Sequence, residues 1–159
     1  MLTATVIFLA GGIVLGCDKY IFGFIPQVAA FYSNKPNAAN IIASVFYGGI
    51  IEEVMMRLFF MSLVAFVIWK LFFAKTEKPS VGICIAANVI AAAAFAAGHL
   101  PSTLQFFGTL TPMLLFRCFL MNGTFGIGFG HLYRKYGIGY AMIAHMGCHV
   151  IAKIILLVG

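Results

Sequence analysis

Residues 38–74 read AANIIASVFYGGIIEEVMMRLFFMSLVAFVIWKLFFA, a proline-free apolar run with two adjacent glutamates, Glu52 and Glu53, near its centre. Helical crossing of a bilayer takes about 20 mostly apolar residues, so this run is long enough to span with residues to spare. It is expected to be a membrane helix that tilts, protrudes or breaks, with Gly48-Gly49 the place for a break. Lys75 to Pro79 closes it.

The flanking sequence has the same character. Hydrophobic residues make up 63% of the chain, charged residues 9%, and the mean hydropathy is +1.06, values outside the range of soluble globular domains. Val81 to Leu100 is a further run, expected to be stopped by Pro101; Thr109 to Tyr133 is the next, followed by an Arg134-Lys135 turn; Ile138 to Val158 is the last. Met1 to Gly16 has the apolar core of a signal peptide but no basic n-region and no small-x-small cleavage site, and is expected to be the first membrane helix. Tyr20 to Ala30 is too short to span and reads as a re-entrant or interfacial segment, with Ser33-Asn34-Lys35-Pro36-Asn37 a polar turn. The expected fold is all-α: a polytopic transmembrane bundle of about five to six membrane helices, forming a single integral-membrane domain over residues 1–159.

Ten Lys and Arg outnumber four Asp and Glu, yet they stand singly or in pairs beside apolar runs. This is the pattern of topology anchors, and parity puts the basic loops 75–79 and 134–137 on one face, expected to be cytoplasmic. There is no basic stripe with interleaved aromatics and no G-x-x-x-x-G-K loop, so no nucleic-acid or nucleotide partner is expected. Cys17, Cys84, Cys118 and Cys148 are scattered without C-x-x-C spacing and imply neither disulfides nor a zinc ribbon. Gly123, Gly126, Gly128 and Gly130 do not follow a strand, which excludes a dinucleotide fingerprint; small residues four apart, such as Gly126 and Gly130, let membrane helices approach closely.

Two of the four acids therefore lie in the middle of a membrane helix, where a carboxylate costs several kcal/mol unless it faces a polar cavity or a partner. Arg57, four residues after Glu53, stacks on the same helix face and is expected to pair with it. Glu52 points about 100° away and is left as a candidate general base. The alternative is that both glutamates only hold helices together. His99 ends the third run, and His145 and His149 lie four apart on one face of the last helix. A carboxylate with imidazoles can activate water, directly or through a divalent metal such as zinc held by Glu52, His99 and His145, and can stabilise the oxyanion formed when water attacks a peptide carbonyl. His131 is expected at the interface, Arg117 and Lys153 to snorkel or pair, and Asn88 and Asn122 to bond across helices. Cys148, three residues from His145, is a weaker candidate nucleophile.

Glu52-Glu53-Val54-Met55-Met56-Arg57 matches E-E-x-x-x-R, Phe95 to His99 matches F-x-x-x-H, and His145 opens an H-x-x-x-N-like motif, in that order and on successive helices. In these motifs residues 40–158 resemble the CAAX prenyl protease and bacteriocin-processing (CPBP, or Abi) family of intramembrane peptidases. The resemblance implies an endopeptidase in which Glu52 activates the hydrolytic water, His99 and His145 hold water or stabilise the oxyanion, and Glu53 with Arg57 braces the site. It also implies a peptide or protein substrate, prenylated in the eukaryotic relatives, reaching the site from the lipid bilayer or its surface. One position departs from the pattern: His149 stands where the family usually has Asn, so an imidazole would take the place of an amide donor. That departure supports an alternative, an inert membrane scaffold or bacteriocin-immunity protein. An ion-coupled transporter is a third class, disfavoured because the chain shows no paired halves.

Overall fold

In hydrocarbon every backbone N–H and C=O must be satisfied within its own segment, and the apolar runs accordingly fold as helices. The computed structural model describes residues 2–33 and 37–158. In chain order the helices are α1 (Leu2–Gly16), α2 (Asp18–Ile21), α3 (Pro26–Tyr32), α4 (Ala38–Phe72), α5 (Val81–Phe107), α6 (Pro112–Tyr136) and α7 (Ile138–Val158). Four of them, α4 to α7, are long and apolar enough to cross a membrane. The apolar stretch of α1, Thr5–Gly16, is shorter and lies along α7. The protein is an all-α, multi-pass membrane protein, and its exposed surface carries large apolar side chains such as Phe46, Phe59, Leu71 and Ile143.

Three local expectations are corrected. First, α4 does not break at Gly48-Gly49; Ser44–Glu52 and Val54–Met61 are instead wound as wider π-helical turns, and the helix runs on to Phe72. Second, Pro101 does not stop the third run. The helix kinks at His99 and resumes with Pro101 in the first turn of the new segment, where its missing N–H leaves no bond unmade. Third, Arg134 and Lys135 belong to the last turn of α6, and the chain reverses at Gly137, whose φ of 97° favours glycine. Tyr20 to Ala30 falls across the two short helices α2 and α3, and residues 34–36 of the expected polar turn lie outside the described residues.

Helix contacts explain how the site is held. A Cβ placed at Gly126 would stand 3.0 Å from the Ala92 backbone, and one at Gly130 would collide with the Asn88 side chain, so α6 rests directly on α5 as the four-residue spacing leads one to expect. Asn88 Nδ2 donates to Ile127 O at 3.0 Å across that contact, whereas Asn122 Nδ2 bonds within its own helix, to Cys118 O at 3.0 Å. Ser62 Oγ and Tyr133 OH, 2.8 Å apart, tie α4 to α6. At the α2–α3 end, Asp18 is buried and paired with Arg117 of α6, whose Nε donates to Oδ1 at 2.9 Å; Tyr32 OH donates to Asp18 Oδ2 at 2.5 Å. Burial and the Asp18 charge raise the Tyr32 pKa, so the phenol stays a donor in this contact.

Candidate active site

Glu53 and Arg57 sit on consecutive turns of α4, fully buried, with Arg57 Nε 3.3 Å from Glu53 Oε2. The Arg57 guanidinium lies 4.8 Å from the centroid of the Phe95 ring on α5, a cation-π contact that helps to offset its desolvation. The other Glu53 oxygen, Oε1, is 2.9 Å from His145 Nδ1 on α7. A carboxylate can only accept, so that imidazole carries its proton on Nδ1 and turns Nε2 away from Glu53. The His145 ring is sandwiched between Phe129, at 4.4 Å and 19°, and His149, at 5.0 Å and 24°.

Glu52 points elsewhere, as the helical angle requires, and its Oε1 is 3.9 Å from His99 Nε2. His99 is fixed by its place in the kink. Its Nδ1 donates to Phe95 O at 2.8 Å, which leaves Nε2 facing Glu52. Its carbonyl accepts from Ser102 Oγ at 3.0 Å, Thr103 Oγ1 at 2.8 Å and Thr103 N at 2.9 Å. His99, at the interruption that sequence inspection takes for a helix end, thus has its imidazole facing Glu52.

Glu52, His99, His145 and His149 line one cavity of about 360 Å³ together with Ser44, Tyr47, Gly48, Ser102 and Asn122. Gly48 is needed there: a Cβ on it would lie 2.8 Å from His149 Nε2 and 3.3 Å from His145 Nε2. The expected zinc ligand set does not come together as one. His145 bonds to Glu53 rather than Glu52, and among the described residues no three His, Cys, Asp or Glu side chains are grouped closely enough to hold a metal ion. Cys148 is turned away, with Sγ 3.7 Å from Ile7 O and 3.6 Å from Phe8 O, and is no partner for His145. Phe95 and Phe129, which shape the imidazole environment, were not singled out in the sequence except as a motif letter; nor was Asp18, although a rare acid in an apolar chain is a signal that could have found it.

A membrane bundle with a carboxylate and three imidazoles gathered round one cavity defines a class, the polytopic membrane proteins with a polar site among their helices. The comparison with family models narrows it: the model described as Type II CAAX prenyl endopeptidase Rce1-like matches residues 34–151. The chain belongs to this family of intramembrane CAAX-type peptidases. No curated protein and no solved structure matches it.

Proposed function

We propose that the protein is an intramembrane endopeptidase that hydrolyses a peptide bond with water activated by Glu52. The observation that carries this reading is the 3.9 Å gap between Glu52 Oε1 and His99 Nε2 in the shared cavity. That gap is too long for a direct hydrogen bond and suits a water held by both groups. Glu52 takes a proton from the water as the water oxygen attacks the substrate carbonyl, with His99 orienting the water through Nε2; Glu52 then gives that proton to the leaving amine nitrogen as the C–N bond breaks, which restores the carboxylate. The His145 and His149 rings, which line the same cavity, supply N–H donors to the developing oxyanion in the tautomers that place a proton on the nitrogen facing the cavity. For His145 that requires either a second proton on the ring, with Nδ1 still donating to the Glu53 carboxylate, or the Nε2–H tautomer with a protonated Glu53 donating to Nδ1; Glu53, with Arg57 on its other oxygen, holds the ring in either form. Since the donor groups as placed do not enclose a metal ion, no step is routed through one.

The substrate is a peptide or protein reaching the cavity from the bilayer or its surface. The family's name points to C-terminal C-a-a-X segments, prenylated on the cysteine, as the first substrates to try. Loops 75–79 and 134–137 face the cytoplasm in this proposal. The test is cleavage of a farnesylated C-a-a-X peptide by purified protein. Alanine at His99 or at His145 should lower the rate at least about a hundredfold in protein that remains folded. Parent-like cleavage by both variants would contradict the mechanism; a cellular phenotype untouched by both changes, with no cleavage by the parent, would favour the inert scaffold.

A further inference from the structure

The cavity that holds Glu52 does not end at His149. Leu15, Phe106 and His149 line it and also line a second, larger cavity of about 580 Å³, in which Lys153 is a wall residue. Lys153 is half-buried in a wall shared with apolar side chains such as Phe31, Phe107 and Leu156 and with the uncharged polar Gln27, Tyr32 and Asn40. The chain has four acids, and none is left for it. Asp18 is held by Arg117, Glu53 by Arg57 and His145, Glu52 faces His99, and Glu77 lies in the exposed α4–α5 loop. A half-desolvated ammonium in a mainly apolar vestibule calls for an anion, and among the described residues the protein provides none.

Position along α7 says what kind of anion fits. Lys153 follows His149 by one turn and His145 by two, a rise of about 6 Å and about 12 Å. An extended peptide covers about 3.3–3.6 Å per residue, so a chain whose carbonyl lies beside His145 reaches Lys153 about three or four residues later. We infer that the vestibule receives the C-terminal end of the peptide substrate and that Lys153 binds its free α-carboxylate, as a positioning residue that sets how far from the terminus the bond is cut. This rests on the peptidase reading of the adjoining cavity.

The test uses a fluorescent, farnesylated C-a-a-X peptide in free-acid and C-terminally amidated forms, with affinity measured on full-length Glu52→Gln protein and cleavage measured on the parent. The free acid should bind at least about tenfold more tightly than the amide, the strength of a charge-assisted hydrogen bond. Lys153→Met should bring the ratio close to one, and Lys153→Arg should keep it. Equal affinity for acid and amide, or an undiminished ratio in Lys153→Met, overturns the inference and leaves Lys153 as an anchor reaching lipid headgroups. Should Lys153→Met fail to fold, the acid-to-amide ratio in Lys153 and Lys153→Arg proteins decides alone. Preferential binding of the acid without cleavage by the parent upholds the carboxylate site and removes the peptidase reading; cleavage with no preference does the reverse.

Discussion

His145 Nδ1 lies 2.9 Å from Glu53 Oε1, so the imidazole on the last helix is held by the second glutamate of the pair and not by the first. The two acids thus divide the work: Glu53 anchors His145 and Arg57, and Glu52 is left facing His99 across the cavity.

The buried pair sets the first prediction. Removing one partner strands the other without a counter-charge, so Glu53→Leu or Arg57→Leu should each cost about 3–5 kcal/mol. The double replacement Glu53→Leu with Arg57→Leu should cost less than the sum of the single changes, because no charge is left unpaired. Thermal unfolding midpoints of the detergent-solubilised variants read this out; strict additivity would show that the 3.3 Å contact is energetically idle.

Gly48 gives the second. Alanine there places a methyl group 2.8 Å from His149 Nε2, and the ring has to move. Cleavage should fall about ten- to a hundredfold as the cavity is reshaped. The unfolding midpoint should hold or rise, since Ala is the better helix residue by about 0.5–1 kcal/mol. An unaltered rate would place the reaction away from this wall.

Much of this arrangement was legible in the sequence, and each failure has a physical cause. The Glu53–Arg57 pair follows from a four-residue spacing, and the Gly126 and Gly130 contact with α5 from small residues on one face, because both are set by helix geometry within a few residues. Which acid His145 would choose was not legible, since it depends on how helices far apart in the chain rotate against each other and on the π-helical turns around Glu52. The His99 kink was missed for another reason: proline ends one helix and begins the next with equal ease, and only packing shows which. The Asp18–Arg117 pair joins residues nearly a hundred positions apart, beyond any local pattern, although the scarcity of acids marked Asp18 as needing a partner.

Orientation supplies the third prediction. Connectivity puts the α4–α5 loop at one end of the bundle and the α5–α6 loop at the other. With Cys17 and Cys84 changed to serine, a membrane-impermeant maleimide applied to intact cells should label Leu110→Cys and spare Glu77→Cys, as the positive-inside rule requires. The opposite pattern would invert the topology while leaving the site geometry as it is.

Metal removal is the fourth. With His145 engaged by Glu53, dialysis of the purified protein against a chelator should leave cleavage within about twofold, because Glu52 and His99 can activate water by proton transfer alone. A rate that collapses and returns on adding zinc would mean that Glu52, His99 and His145 rearrange to bind it.

The most direct measurement is the cleavage rate of a farnesylated C-a-a-X peptide by parent and Glu52→Gln proteins of equal thermal stability. Glutamine keeps the shape of the side chain but takes up no proton, so the rate should drop by about 10²–10⁴-fold while the peptide still binds. Cleavage by Glu52→Gln at the parent rate would contradict the assignment of Glu52 as the base.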